Sequence, residues 1–584
     1  NNQEVGVDEP DVTKTDGRVM VVLRHNPVGV EVADVGGSAP RLDGFLPLSQ
    51  VGPDAQLFLT GGYAVVVGQA GGGWSGAGSG DGSGGGAPGS GAMSDVVVVG
   101  LTDPSHPSVV RTFQLQGDQV GARLLAGRIV VVLRGQPALS FVYPSDGSAQ
   151  ARAEATQANR GVVERSTVAD WLPSVSVSPA GVTRTAQCES ALHPTVASGL
   201  GTVSVVSLDP ARDQPGAEVT VVGNASTVYA STSSLYVATN TWDEQAVMGS
   251  ASVYPPTFTT DVHGFDLSDP ANPRYLGSGT VPGSLIGQYA MSEYGGYLRV
   301  ATTVGSPSPP PNEGSTPQQL SNSRVTVLAP SDHALVPVGE IGGLGQGEKI
   351  YAVRFVGPLG YVVTFRQTDP LYVVDLTDPR HPVSNGQLAL TGYSSFLQPL
   401  DGSLLFGVGQ AVDSNYRRAG LQLSVFDVSD PGHPALRSRL EMDNASSTAE
   451  NDPHALLWWP QRRLVALPVF DYSTNFHGVI VWHVGTDGSI QELARLSQPS
   501  NPPPPGPPGP PSPGPPQPAP PPCNTCAEPQ PAPAGGAAMY PYYGSGVERS
   551  VVVGSLLYTV SDSGIMATSM SSWAQQAWLA YSGS

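Results

Sequence analysis

Apolar residues gather along this chain in short runs, some alternating and some unbroken, and a polar turn closes each run. The clearest set covers 350–355, 360–365, 371–376 and 387–391, joined by short turns. Runs of strand length bounded by Gly, Pro, Asp and Ser predict β-strands, and four in succession predict an antiparallel sheet with tight hairpins. Comparable groups begin near Asp54, Val120, Ser226, Leu285, Ser394, His454 and Val547, and another covers 11–48. A recurring turn phrase punctuates them. It reads Leu101-Thr102-Asp103-Pro104-Ser105-His106-Pro107, then Leu267-Ser268-Asp269-Pro270-Ala271-Asn272-Pro273. It returns as Leu376-Thr377-Asp378-Pro379-Arg380-His381-Pro382 and Val428-Ser429-Asp430-Pro431-Gly432-His433-Pro434. A strand–turn–strand unit repeated along one chain predicts an all-β fold, a large β-propeller of four-stranded antiparallel blades. Nine groups are countable, but the first and last can share strands, so eight blades are favoured with nine as the alternative.

Four segments break the pattern. Residues 70–92 are almost pure Gly and Ser, a flexible hairpin loop. Residues 143–199 form an irregular insertion with a short helix expected near 167–172, and 305–318 are Pro/Ser-rich. Residues 501–533 are dominated by proline, which favours polyproline II and removes the N–H donors a sheet needs. The expected organisation is therefore propeller blades over 1–497, a proline-rich arm over 498–538, and a final blade over 539–584.

Composition sharpens this. The 71 glycines and 57 prolines fit a fold with many turns. A net charge of −20 argues against nucleic acid or an anionic membrane surface as the partner. No stretch approaches the ~20 apolar residues of a membrane helix. The chain starts on Asn1 rather than Met, which fits removal of a secretory leader. Three cysteines cannot staple so long a chain; Cys523 and Cys526 are the candidate disulfide, with Cys188 left over.

Few residues announce chemistry. His106, His381 and His433 share one slot of the turn phrase, filled by Asn272 in the fourth copy, and are expected to cap turns together with Asp103, Asp378, Asp430 and Asp269. Asp8, Glu9, Asp11 and Asp16 cluster as a calcium set would, without EF-hand spacing. Glu348, Arg354, Arg366 and Asp369 share one blade. They read either as buried ion pairs that fix blade packing or as an anion or sugar site at the propeller mouth. No nucleophile elbow or Ser/His/Asp set stands out, and no catalytic residue, cofactor or resident metal is expected. Asn224-Ala225-Ser226 and Asn444-Ala445-Ser446 match the N-glycosylation acceptor.

Longer motifs carry a family resemblance: Val7-Asp8-Glu9-Pro10-Asp11-Val12-Thr13-Lys14-Thr15-Asp16-Gly17, Gln288-Tyr289-Ala290-Met291-Ser292-Glu293-Tyr294, Gly347-Glu348-Lys349-Ile350-Tyr351-Ala352-Val353-Arg354-Phe355 and Leu557-Tyr558-Thr559-Val560-Ser561-Asp562-Ser563-Gly564. These resemble secreted bacterial and archaeal proteins with a C-terminal β-propeller domain. The resemblance implies fold and secretion and little chemistry. Where that family reads Phe-Ser-Asp-Tyr-Leu-His-Pro, this chain has Tyr393-Ser394-Ser395-Phe396-Leu397-Gln398-Pro399 and lacks the acid and the histidine. The proline tracts resemble hydroxyproline-rich glycoproteins of green-algal and plant extracellular matrix, which implies sugars on positions such as Pro309, Pro310, Pro503, Pro504 and Pro505. The combined expectation is a secreted, non-enzymatic structural or interaction protein whose partners are copies of itself or matrix glycoproteins and glycans. A carbohydrate- or ligand-binding propeller is the alternative, and a secreted hydrolase or lyase a third reading.

Overall fold

The computed structural model describes residues 2–37, 39–70, 92–195, 198–242, 258–305, 321–365, 369–401, 403–414, 417–499 and 546–582. Among the described residues, nine antiparallel groups of four core strands follow one another, spanning 13–47, 56–116, 118–222, 227–282, 291–344, 349–390, 393–443, 445–496 and 547–580; some gain extra edge strands, and the fourth and fifth join into one sheet through a single parallel pairing of Ser278 with Ala334. We call them blades 1 to 9. The favoured count of eight is thus corrected to the alternative, nine. The reason is that neither end lends a strand: blade 1 takes all four from 13–47 and blade 9 all four from 547–580.

Burial explains why the two middle strands of a blade read as apolar runs while the last one alternates. Each blade is packed between two neighbours, so Val19–His25 and Leu404–Val412 are covered on both faces. The outermost strand meets water on one side, and Ala435–Asp443 alternates half-buried with exposed. The apolar clusters lie between blades. One joins Met20, Val22 and Ala33 of blade 1 to Tyr558, Val560 and Ile565 of blade 9, so the ring closes by face-to-face packing.

The described residues of the insertion expected to be irregular form helices and strands, which corrects that reading. Ala149–Arg165 is a helix, N-capped by Ser148, whose side chain accepts from the Ala151 N–H. Its alanine-rich sequence supplies helix propensity, but it buries only Ala151 and Ala155 and so shows no apolar stripe to read. The short helix Val168–Trp171 falls where expected. Ser174–Ser178 and Val182–Thr185 then extend blade 2 at its outer edge, pairing Val175 with Leu115 and covering an otherwise open sheet edge.

The turn phrase does more than close hairpins. Asp103, Asp269, Asp378 and Asp430 each accept the N–H two residues on, at 2.9–3.0 Å. Their second oxygens meet His106, Asn272, His381 and His433 at 2.7–3.0 Å. A fifth copy, Asp209-Pro210-Ala211-Arg212, puts arginine in the histidine slot and repeats the bonding. The turns at Asp103, Asp378 and Asp430 then lean on the outer strand of the preceding blade. A Cβ built on Gly339 of blade 5 would sit 2.2 Å from the Pro379 carbonyl of blade 6, and one on Gly386 of blade 6 would sit 2.6 Å from Pro431 of blade 7. Gly44 of blade 1 meets the Pro104 and Ser105 carbonyls of blade 2 in the same way.

Candidate functional site

The first strand of each blade faces the centre of the ring, and the chain's own residues 2–12 lie against those strands. Asp11 exchanges backbone hydrogen bonds with Leu57 of blade 2, and Asp8 with Leu124 of blade 3. Gln3 Nε2 donates to the carbonyls of Gln288 and Met291 at 3.1 and 2.9 Å. Tyr229 of blade 4 donates to Glu4 at 2.8 Å, and Arg354 of blade 6 donates to the Gln3 carbonyl at 3.1 Å. Arg549 of blade 9 binds Asp11 at 2.6 Å and Asp452 of blade 8 at 2.7 Å.

Glu9 is the hub. It accepts from His454 Nε2 at 2.9 Å and from Gln288 Nε2 at 3.1 Å, and it faces Arg123 at 3.6 Å. Burial alone would raise its carboxyl, but His454 and Arg123 outweigh that and hold it below the usual range. Arg123 is fully buried. It donates to the carbonyls of Ala122 and Val228 and to Gln288 Oε1, each at 2.8 Å. Glu4 behaves oppositely: burial wins over Tyr229, Arg354 and Arg299, and its carboxyl is raised. The four N-terminal carboxylates do not converge as a calcium set. Asp8 pairs with Lys14, Glu9 with His454 and Arg123, Asp11 with Arg549, and Asp16 with the N–H groups of Arg18 and Val19.

Blade 8 breaks its inner strand into Ala445–Ser446 and Leu457–Trp459. The loop between carries two short 3₁₀ turns and opens the ring face locally. Two clefts adjoin along it, sharing Glu450 and Asn451 as a common wall. The larger, about 750 Å³, is lined by Gln410, Arg418, Asn444, Phe470, Tyr472 and their neighbours. The smaller, about 490 Å³, is lined by Gln288, Tyr289, Lys349, Tyr351, Phe396 and His454 among others. An aromatic wall backs them: Tyr351, Phe365 and Tyr393 lie 4.6–5.5 Å apart between centroids. Arg418 lies over the Tyr393 ring and Lys349 over that of Tyr351. His454 and Gln288 belong to both the small cleft and the channel network, so an occupant of that cleft reaches the Glu9 hub.

Of the blade-6 quartet, the two described side chains, Glu348 and Arg354, are not brought together. Arg354 points into the channel, beside the Tyr289 ring at 5.5 Å, while Glu348 accepts from the Thr364 hydroxyl near the other end of the same strand. Six residues of extended chain separate them by roughly 20 Å. Arg366 lies outside the described residues, as do the Asp369 side chain, Pro309, Pro310, Pro503, Pro504, Pro505, Cys523 and Cys526. Asn444 is exposed on the lip of the larger cleft, and Asn224 is half-buried. Sequence reasoning missed Glu9, Arg123 and His454 as a network. The only signal was charge amid apolar strand residues.

Two serine–histidine contacts occur among the described residues: Ser105 Oγ lies 3.0 Å from His106 Nδ1 in an exposed turn, and Ser198 Oγ lies 2.9 Å from His263 Nε2. Ser198 and His263 are both buried, and burial drops the His263 imidazole to about 4. Asp261 is spent on Thr241 and Thr280, so no carboxylate orients the ring. A second buried group gives a pH test. Burial pushes the Glu218 carboxyl up to about 7, against the partial offset of Arg184 at 3.9 Å. A raised carboxyl costs nothing below its unfolded pKa, and the cost grows as pH rises to the folded value. It reaches about 3 kcal/mol above pH 7. Glu218→Gln should therefore raise the thermal midpoint at pH 8 and leave it nearly unchanged at pH 4. Equal shifts at both pH values would show that Glu218 does not titrate in this way.

A closed ring of four-stranded blades with loops meeting at a central polar channel is a β-propeller. The β-propeller domain family matches residues 1–506, and the chain belongs to that family. Uncharacterised proteins of Methanocaldococcus jannaschii and Archaeoglobus fulgidus are 37% identical over 199 residues and 38% identical over 192 residues. These matches take in 34% and 33% of this chain but only 29% and 27% of the archaeal proteins. Among solved structures, a chain of a mitotic checkpoint complex and a functionally unknown protein of Desulfotomaculum acetoxidans align at 10% identity with TM-scores of 0.30 and 0.29. The alignments cover 67% and 69% of this chain and 87% and 96% of those. Among the described residues, no helix is long and apolar enough to cross a membrane.

Proposed function

We propose that the protein is an extracellular, non-enzymatic interaction protein that works by binding, with a glycan or glycoprotein of its surroundings as ligand. The observation that supports this best is the double cleft along the broken inner edge of blade 8. Aromatic faces beside amide, carboxylate and guanidinium groups suit a sugar, whose apolar faces stack and whose hydroxyls need both donors and acceptors. Here Tyr472, Phe470 and Tyr351 supply the faces, and Asn451, Glu450, Gln410 and Arg418 the polar groups. The proline-rich arm over 498–538, glycosylated on hydroxyproline, would tether the ring to neighbouring copies or to matrix.

A glycan array followed by calorimetry tests the reading. Saturable binding should weaken about 10-fold or more, roughly 1.4 kcal/mol, in Tyr472→Ala and in Arg418→Ala. Binding that survives both changes would move the ligand elsewhere, and an array without saturable binding would remove the sugar reading. The arm is tested separately by electron microscopy after deletion of 501–533. The ring should remain folded while any ordered assembly is lost; assembly that persists would sink the tether.

A further inference from the structure

We infer that His25, Glu548 and Asp562 form a divalent-metal site, best suited to zinc, at the seam where the first and last blades close the ring. His25 ends the second strand of blade 1, Val19–His25. Glu548 lies in the first strand of blade 9, Val547–Val553, and Asp562 in the turn between its second and third strands. Each offers one donor atom, and the three atoms lie within 4.8 Å of one another. His25 Nδ1 is 3.2 Å from Asp562 Oδ1 and 3.8 Å from Glu548 Oε1.

Those separations are close to the edges of a zinc coordination shell. With each donor about 2.1 Å from the ion, tetrahedral or octahedral neighbours lie roughly 3.0–3.5 Å apart, so small side-chain rotations complete the set. The donor chemistry selects the ion: one imidazole with two carboxylates favours zinc over calcium, which takes oxygen ligands only. Charge argues the same way. Two carboxylates converge on one imidazole, and the neighbouring Arg549 is turned away toward Asp11 and Asp452. Asp562 is about half-exposed, at 53%, which leaves a path for the ion to enter. The site also spans the joint that nothing covalent closes. Among the described residues, the apolar cluster of Met20, Val22, Tyr558 and Ile565 packs across it, Arg24 reaches the Ser582 carbonyl and the Tyr581 ring, and Arg549 binds Asp11. An ion held from both sides would tie the ends of the chain together.

The test uses the full chain, stripped with EDTA, dialysed into metal-free buffer and titrated with zinc chloride. One equivalent should bind with a Kd of about 1 µM or tighter, and the melting temperature should rise with zinc. Asp562→Asn and His25→Gln should each weaken binding about 10-fold or more and abolish the melting shift. Asp562 is exposed enough that its variant should melt like wild type without metal, which separates lost ligation from lost folding. The exposed pairs of Asp103, Asp378 and Asp430 with His106, His381 and His433 are the competing zinc ligands. A triple His→Gln variant of those turns should retain the tight equivalent. The proposal falls if the tight equivalent disappears in the triple variant, if it persists in Asp562→Asn and His25→Gln, or if zinc produces neither heat nor a melting shift.

Discussion

Replacing Arg123 with methionine should lower the unfolding free energy by about 3–5 kcal/mol, the usual penalty for removing one partner of a buried ion pair. The side chain is buried and donates from its two terminal nitrogens to the Ala122 and Val228 carbonyls and to Gln288, with Glu9 at 3.6 Å. Methionine matches its length but donates nothing. It leaves the Glu9 carboxylate with only His454 and Gln288 as side-chain partners, and two buried carbonyls lose a donor. The pairing of Glu9 with Gln288 and His454 would loosen, and with it residues 2–12. Chemical denaturation should show the lower midpoint, and limited proteolysis should show faster cutting near the amino end. The double variant Glu9→Gln, Arg123→Met should recover part of the loss, because removing both charges costs less than stranding one. Strict additivity of the two single losses would mean that the charges are not coupled.

Gly339→Val should cost about 2–3 kcal/mol by overpacking. The added Cβ would lie 2.2 Å from the Pro379 carbonyl oxygen and 3.0 Å from the Arg380 Cα, both backbone atoms of the next blade's turn. That turn cannot slide away cheaply, because Asp378 grips the Arg380 N–H and the His381 ring. Blades 5 and 6 would have to separate along their outer edge. Gly432→Ala is the matched control. It lies within such a turn, and its added Cβ would meet nothing nearer than the Asp430 carboxylate at 3.3 Å. Thermal melts should show a large drop for the first and almost none for the second. Equal effects would show that the cost comes from losing glycine rather than from the close approach.

What could be read from the sequence was local. Strand groups and the Asp-Pro turns follow from period, turn chemistry and repetition, all within a few residues. The fifth turn was hidden because arginine replaces histidine in Asp209-Pro210-Ala211-Arg212 and the closing proline comes later, at Pro215. The helix Ala149–Arg165 was hidden because a polar surface helix has no periodic apolar face. The channel network was out of reach for a different reason. Glu9 meets Arg123, Gln288 and His454, and only closure of the ring makes residues 445 positions apart into neighbours. Within the blade-6 quartet, sharing a blade does not bring Glu348 and Arg354 together, because an extended strand carries its two ends apart.

The leaning of these three turns on the blade before them has a consequence for damaged chains. Contacts of this kind have direction: blades 2, 6 and 7 offer an Asp-Pro peg, blades 1, 5 and 6 a glycine socket, and the two are not alike. A chain cut between blades 5 and 6 would leave an empty glycine notch on one piece and an unseated Asp-Pro turn on the other. Such pieces are complementary to each other and to pieces of any other copy. Nicked molecules should therefore join end to end across chains, in rings of the wrong size or in open strings, before they lose their sheets.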